Sequence, residues 1–404
     1  MKEIYLDHAA TTYVRREVLE VMNKYFQDEY GNPGSFHTIG LRPKRAMDKA
    51  RELVRDIINA KRADEIIFTG SGTESVNLAI KGLVEKLEPH HGPAHIITST
   101  IEHEAVTETL YYLEHERGYR ITRVPVDKYG MVNPKDVEDA IEEDTILVTI
   151  MYANNEIGTI QPIEQIGKIC RKKKVLFHTD ACQAGGVLDL NVENLKVDMM
   201  TLNGSKIYGP KGIGMLYKKN SIKLVPLIHG GGQEFGYRSG TQNVAFIIGF
   251  SEALRLGQAE RFWETKRLLE LRRMLEDGIL KNIPKTFLNG HPTKRLPNNA
   301  NITISDIEGE AMMLYLNEYG ICTSSGSACT SLTLEPSHVI LAMGLPYEVA
   351  HGTLRFTLGR KTTKKDIEKI IEVLPGIVET LRKISPVNVN MDKLEIQGEK
   401  VYAN

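Results

Sequence analysis

Cysteine is scarce: Cys170, Cys182, Cys322 and Cys329 are the only four in 404 residues. Their irregular spacing excludes a disulfide framework and paired CxxC zinc ligands, so in a reducing compartment they are expected to be free thiols. An excess of one charge is lacking as well. Lys plus Arg number 51 against 52 Asp plus Glu, a net charge of −1, and no global field favours a nucleic acid or an anionic membrane. No run of eighteen apolar residues occurs, and MKEIYLDHAATT at the start holds no apolar stretch of signal-peptide length. A cytoplasmic protein is expected. Internal repeats and low-complexity segments are absent, and the length suffices for two or three domains with large cores.

What is present is a rhythm. Short apolar runs occur at 66–68, 95–98, 121–126, 146–151, 175–177, 197–202 and 213–217, most of them separated by helical periodicity, as in 75–87 and 163–171. Such alternation predicts an α/β fold: a mostly parallel seven-stranded sheet with helices on both faces. Helices over 17–26 and from about 43 to 58 precede it, split by the turn cluster Gly31-Asn32-Pro33-Gly34-Ser35. Residues 261–283, with Leu268, Leu271, Leu275 and Ile279 on one face, read as an amphipathic helix leaving this domain. Beyond Pro284, strands are expected at 301–304 and 354–358 and helices at 309–319 and 364–384. The expected organisation is a large α/β domain over 15–260, a smaller α+β domain over 1–14 and 261–384, and a mobile polar tail over 385–404.

Asp180 and Lys206 each end one of these apolar runs, and in open α/β sheets ligands gather beyond the carboxyl ends of the strands. An acid and an amine in one such crevice match the needs of pyridoxal 5'-phosphate. The lysine forms a Schiff base with the aldehyde, and the acid keeps the pyridine nitrogen protonated so that the ring withdraws electrons. A surface acid and a solvated lysine are the ordinary alternative.

Other motifs sit at other strand ends. Thr69-Gly70-Ser71-Gly72-Thr73-Glu74-Ser75 follows a strand and opens a helix, where free amides and hydroxyls suit a phosphate, although a plain helix cap reads equally well. It is neither a P-loop nor a dinucleotide fingerprint. His103, in IEHE, can stack on a heterocycle or move protons, or be structural. Asn155, in NNEIG, suits a substrate carboxylate or a phenolic oxygen, or caps a turn. Residues 230–234 (GGGQE) and 238–243 (RSGTQN) offer glycine and a cation to a phosphate, or form an ordinary loop with a structural arginine. Small polar residues surround Cys329 in CTSSGSACTS and favour an exposed thiolate, whereas Cys322 closes an apolar run and is expected to be buried. Arg355 alternates with apolar neighbours in LRFTLGR, which requires a buried anion, either a substrate carboxylate or a structural partner. Asp7-His8-Ala9-Ala10-Thr11-Thr12 reads as a loop that closes on something, or as a tethered arm.

Taken in order over residues 4 to 360, YLDHAATT, GNPGSFH, TGSGTES, EHEAV, ANNEIGTIQP, HTDACQAGG, KIYGPKGIG, GGGQE, RSGTQN, SSGSACTS and LRFTLGR resemble the cysteine desulfurases of the NifS/IscS type, in the class V aminotransferase group of fold-type I pyridoxal-phosphate enzymes. The resemblance implies a homodimer that converts L-cysteine to L-alanine and carries the sulfur as a persulfide on Cys329. It implies that Lys206 is the Schiff-base lysine and general base, Asp180 the partner of the pyridine nitrogen, His103 the residue stacked on the ring and Gln183 the contact to the phenolic oxygen. Gly72 and Thr73 would hold the phosphate, which Thr241 would reach from the neighbouring subunit. Asn155 and Arg355 would bind the cysteine carboxylate. No metal ligands are implied, Cys329 being the residue that would meet a cluster on a scaffold partner. The implied sulfur acceptor is an iron–sulfur scaffold of the NifU/IscU type, with tRNA thiolation as another outlet.

One segment departs from the pattern. The family commonly has a serine and a histidine three and one residues before the lysine, and here Asn203 and Ser205 stand there. Ser205 keeps one hydrogen bond for the phosphate, but the imidazole is lost. SSGSACTS is similar to the longer loop of NifS and IscS and unlike the RSGHHC-like SufS motif. A selenocysteine lyase or another class V aminotransferase would share Lys206 and Asp180 without depending on Cys329. A non-enzymatic sulfur carrier would need Cys329 and no cofactor.

Overall fold

The computed structural model describes residues 3–326, 336–391 and 394–400. In chain order the strands are β1 (Ile4–Tyr5), β2 (Ile66–Thr69), β3 (His95–Ser99), β4 (Arg120–Val124), β5 (Thr145–Thr149), β6 (Leu176–Asp180), β7 (Met199–Asn203), β8 (Gly214–Lys218), β9 (Thr286–Asn289), β10 (Asn299–Ile304), β11 (Ile321–Cys322), β12 (Thr353–Thr357), β13 (Glu395–Ile396) and β14 (Glu399–Lys400). The helices are α1 (Arg16–Gln27), α2 (Thr38–Ile58), α3 (Gly72–His91), α4 (Glu104–Arg117), α5 (Pro134–Ala140), α6 (Ile163–Lys173), α7 (Val192–Leu195), α8 (Val244–Asn282), α9 (Gly309–Glu318), α10 (His338–Ala342), α11 (Tyr347–Ala350) and α12 (Lys364–Ile384).

Each of the seven apolar runs becomes a strand of one sheet, in the order β2-β8-β7-β6-β5-β3-β4. Strands β3 to β7 pair in parallel, and β8 runs antiparallel to both of its neighbours. The runs are continuous rather than alternating because both faces are covered. Val18, Val54, Ile166 and Phe250 of α1, α2, α6 and α8 pack on one face. Val76, Ile80, Val106 and Leu110 of α3 and α4 pack on the other. Each such fully buried side chain contributes about 1.5–3 kcal/mol.

A separate core lies under the three-stranded antiparallel sheet β12-β10-β9, where Ile302, Leu354 and Phe356 meet Leu268, Leu275 and Ile279 of α8 and Ile367 and Leu374 of α12. Leu6 joins this core, and β1 pairs in parallel with β11.

Three expectations need correction. Helix α8 starts at Val244 rather than 261, because Val244, Ala245, Ile247, Phe250, Ala253 and Leu254 are buried and leave no polar stripe to mark a helix. The expected boundary at 260/261 therefore falls inside one continuous helix. Helix α2 starts at Thr38, five residues before the expected Pro43, with the His37 side chain capping it by accepting from the Gly40 N–H. Finally, the described residues of the expected tail, 385–391 and 394–400, are docked rather than free. Leu394 and Ile396 are buried in the large core, the Gln397 amide donates to the carbonyls of Val126 (3.0 Å) and Met343 (3.1 Å), and the Val389 N–H donates to Asp306 (2.6 Å). Among the described residues no helix is long and apolar enough to cross a membrane.

Candidate active site

A cavity of about 220 Å³ opens beyond the carboxyl ends of β3, β5, β6 and β7. Asp180 is the last residue of β6 and Lys206 follows β7 in a short 3-10 turn, and both line it. The Asp180 carboxylate accepts from the Cys182 N–H at 2.9 Å. Burial pulls the Lys206 amine below its ordinary pKa, so more of it is neutral and nucleophilic than on an exposed lysine.

The N-terminal arm forms one wall. The Lys206 ammonium donates to the Ala10 carbonyl, the Gln183 side chain donates to the Ala9 carbonyl at 3.1 Å, and the Thr12 N–H and hydroxyl both donate to the Ser205 carbonyl, at 2.8 and 2.9 Å. Arg355 of β12 pairs with Asp7 at 2.7 Å and donates to the Asn155 carbonyl at 3.2 Å. Its guanidinium is 2% exposed, and its Nε is buried without a partner. A buried cation thus retains a donor beside the cavity, which Asn155 also lines.

Gly72 and Thr73 lie at the N-terminus of α3, whose cap residue Ser71 accepts from the Glu74 N–H at 3.0 Å. A Cβ on Gly72 would come 2.9 Å from the Cys182 sulfur and 3.2 Å from the Asn203 Cβ, so only glycine fits. His103 caps α4 by accepting through Nδ1 from the Ala105 N–H at 3.0 Å, and in the neutral ring the proton then sits on Nε2. His103 and Gln183 both line the cavity.

Two expected residues stand apart from it. Ser205 is not among the lining residues, since its hydroxyl and its N–H turn to the Asn203 side-chain oxygen (3.3 and 3.2 Å), and Asn203 occupies the wall instead. Thr241 is exposed just before α8 and does not line the cavity of its own chain. Cys329 lies outside the described residues. The GGGQE loop is pinned elsewhere. Glu234 is buried, pairs with Arg51 at 2.7 Å and accepts from the Phe68 N–H at 2.9 Å, while Arg238 pairs with Glu74 at 3.0 Å.

Sequence reasoning missed Glu102 and Cys182. Glu102 is fully buried and accepts from the Ser99 hydroxyl (2.6 Å) and the Met151 N–H (3.0 Å), tying the ends of β3 and β5 together beside His103. Desolvation pushes its carboxyl up to about 8. Cys182 lines the cavity, and desolvation together with the Asp180 carboxylate raises its thiol well above the ordinary value. The signal for both was adjacency, one residue from His103 and one from Gln183.

Comparison with known proteins agrees with this geometry. A relative from Methanosarcina thermophila described as cysteine desulfurase IscS is 49% identical over 96% of this chain and 94% of its own. One of the same description from Dictyoglomus turgidum is 48% identical over 95% and 97%. Among solved structures, a NifS-like protein superposes with a TM-score of 0.88 at 36% identity, covering 94% of this chain and all (100%) of its own. A structure described as SspA in complex with cysteine gives 0.78 at 36% identity over 88% and 99%. The family model described as aminotransferase class-V matches residues 4–370, and the chain belongs to that family.

Proposed function

We propose that the protein is a pyridoxal-phosphate-dependent cysteine desulfurase that releases L-alanine from L-cysteine and keeps the sulfur as a persulfide on Cys329. The observation that carries this reading is the pairing in one cavity of a depressed-pKa lysine and a strand-end carboxylate with a buried, partly unpaired arginine.

The residues fit the cofactor and the substrate. Gly72 leaves room for a phosphate at the N-terminus of α3, and Asn203 stands nearer than Ser205 to take part in holding it. Asp180 would keep the ring nitrogen protonated, Gln183 would meet the phenolic oxygen and His103 would lie against the ring. Bound pyridoxal phosphate supplies an electron sink for the substrate α-carbon. Lys206 would hold the cofactor through its aldehyde, and its Nζ would move the α-proton of the substrate. Asn155 and Arg355 orient the cysteine carboxylate. The Cys329 thiolate attacks the substrate sulfur, and the S–S bond forms as the Cβ–S bond breaks. The electron pair of the broken bond stays with the substrate carbon, which takes up a proton.

The same reading extends to assembly. Thr241, exposed and away from the cavity of its own chain, would meet the phosphate of a second copy in a homodimer. The residues 15–260 would form the cofactor domain, with the arm and residues from 261 to 384 as the smaller one, α8 being shared between them. An iron–sulfur scaffold would take the persulfide sulfur in the cytoplasm, with tRNA thiolation as another outlet.

The test is the reaction itself. The purified protein should show borohydride-sensitive yellow absorbance and, with L-cysteine and a thiol reductant, release alanine and sulfide in equal amounts. A colourless protein, or a yellow one that makes no alanine, would overturn the reading. Arg355→Ala should lower kcat/KM for cysteine roughly a hundredfold, mostly through KM. Two charge-assisted hydrogen bonds at about 1.5 kcal/mol each give about 3 kcal/mol, or two factors of ten. An unchanged KM would place the carboxylate elsewhere.

A further inference from the structure

Glu156, next to Asn155, is 2% exposed and belongs to none of the roles above. Its backbone is fixed from both sides: the Asn154 side chain accepts from its N–H at 2.8 Å, and its carbonyl accepts from the side-chain amides of Asn299 and Asn301 on β10, each at 3.1 Å. Both asparagines are fully buried. Gly158, two residues on, has φ +76°, and a Cβ there would come 2.9 Å from the Asn299 carboxamide, so the turn seats directly on β10.

With the backbone held, the Glu156 carboxylate reaches Gly326, the last described residue before segment 327–335, and Ser337, the second residue after it. Oε2 accepts from the Ser337 hydroxyl, and Ser337 caps α10 by accepting from the Val339 and Ile340 N–H groups. A Cβ on Gly326, where φ is +134°, would lie 3.1 Å from the same oxygen. On the near side Ser324 pairs through its backbone with Arg355, at 3.2 and 2.7 Å. One side of the segment is therefore tied to Arg355 and the other, through Glu156, to the turn that carries Asn155.

We propose that Glu156 is a positioning residue that fastens Ser337, and with it the boundary of the Cys329 segment, to the turn carrying Asn155. It touches neither substrate nor cofactor. The inference rests on the reading of Cys329 as the sulfur acceptor, and it separates two steps: binding of cysteine, which needs Asn155 and Arg355, and delivery of sulfur to Cys329, which needs the boundary held as well.

The test compares wild-type holoenzyme with Glu156→Ala and Glu156→Gln. After one addition of L-cysteine, the absorbance change of the bound cofactor reports substrate binding. Mass spectrometry of Cys329 reports the persulfide, and hydrogen exchange of the α10 amides reports the boundary. Glu156→Ala should slow persulfide formation and speed α10 exchange by about tenfold each, the effect of one lost charge-assisted hydrogen bond, and leave the absorbance change within about twofold of wild type. Glu156→Gln, whose amide oxygen still accepts from Ser337, should recover most of both losses. Should Glu156→Ala not fold, Glu156→Asp, a methylene short of Ser337, makes the same comparison.

Unchanged exchange and persulfide rates in these variants would overturn the proposal. So would equal slowing of the absorbance change, which would mean that Glu156 acts through Asn155. If the wild type forms no persulfide at all, the proposed function fails, and the exchange comparison still decides whether Glu156 holds α10.

Discussion

Lys206→Ala is expected to abolish the borohydride-sensitive absorbance and to lower alanine production from cysteine by at least about 10⁴-fold. A positioned general base alone is worth about 10²–10⁴, and the same amine also makes the covalent link to the cofactor. Because burial lowers the Lys206 pKa, the wild-type amine is neutral in greater proportion at a given pH than an exposed lysine. Activity should fall on the acid side as that amine is protonated. Lys206→Arg is the discriminating control, since a guanidinium keeps the charge at every accessible pH and offers neither nucleophile nor base. The fold should survive either change. Thr12 still donates twice to the Ser205 carbonyl and Asp7 still pairs with Arg355, so the N-terminal arm stays in place without the bond from Lys206 to Ala10. Equal far-UV circular dichroism with lost absorbance is the expected pair of results. Alanine production surviving in Lys206→Ala would sink the proposed mechanism.

How the fold and site could be read follows from which interactions are local. The sheet was legible because strands covered on both faces are continuous apolar runs, and Asp180 and Lys206 stand out as the charged residues that end two of them. The first turns of α8 were not legible, for burial on all sides erases the polar stripe that marks a surface helix. Neither were β1 and β11, two residues each, whose pairing joins positions more than three hundred residues apart. The same limit applies within the site. That Arg355 calls for an anion follows from its apolar neighbours, but that Asp7 supplies one while a donor stays unused is a long-range fact. Ser205 turns from the cavity for a local reason. Asn203 accepts from its hydroxyl and its N–H, so a neighbour two residues away engages both donors at the position where the family commonly has a histidine.

Several strand ends and one N-terminal arm thus converge on a cavity whose polar groups come from distant parts of the chain. Asp7, Ala9 and Ala10 contribute one carboxylate and two carbonyls, and these engage Arg355, Gln183 and Lys206 respectively. The arm therefore sets the resting positions of three residues proposed to handle substrate and cofactor. Gln183 and Lys206 are held by backbone carbonyls, which carry no charge and are weaker competitors than a carboxylate or a phenolate, while Arg355 keeps a free Nε beside its pair with Asp7.

Cys329→Ala is expected to lower sulfide and persulfide production by about 10³-fold or more, as loss of a covalent nucleophile does, while the absorbance change on adding cysteine persists. Cys182→Ala should retain activity within about threefold. The contrast matters because Cys182 is the cysteine among the described residues that lines the cavity. Position alone would favour it, but chemistry disfavours it. The thiolate is the nucleophile, and a thiol of pKa near 9 is only about 1% ionised at pH 7, with a further tenfold loss for each unit of rise. Desolvation and the neighbouring Asp180 push Cys182 well above that value. Burial pushes Cys170 up to about 12 and raises Cys322 as well. None of the three thiols in the described residues is therefore ready to attack a sulfur at neutral pH. Alkylation mass spectrometry after a single turnover reads the outcome directly. Persulfide on Cys329 in the wild type and in Cys182→Ala, and on no cysteine in Cys329→Ala, is the expected pattern. Persulfide on Cys182 would show that the Lys206 charge, the one influence lowering that thiol, outweighs its burial, and would move the sulfur acceptor into the cavity wall.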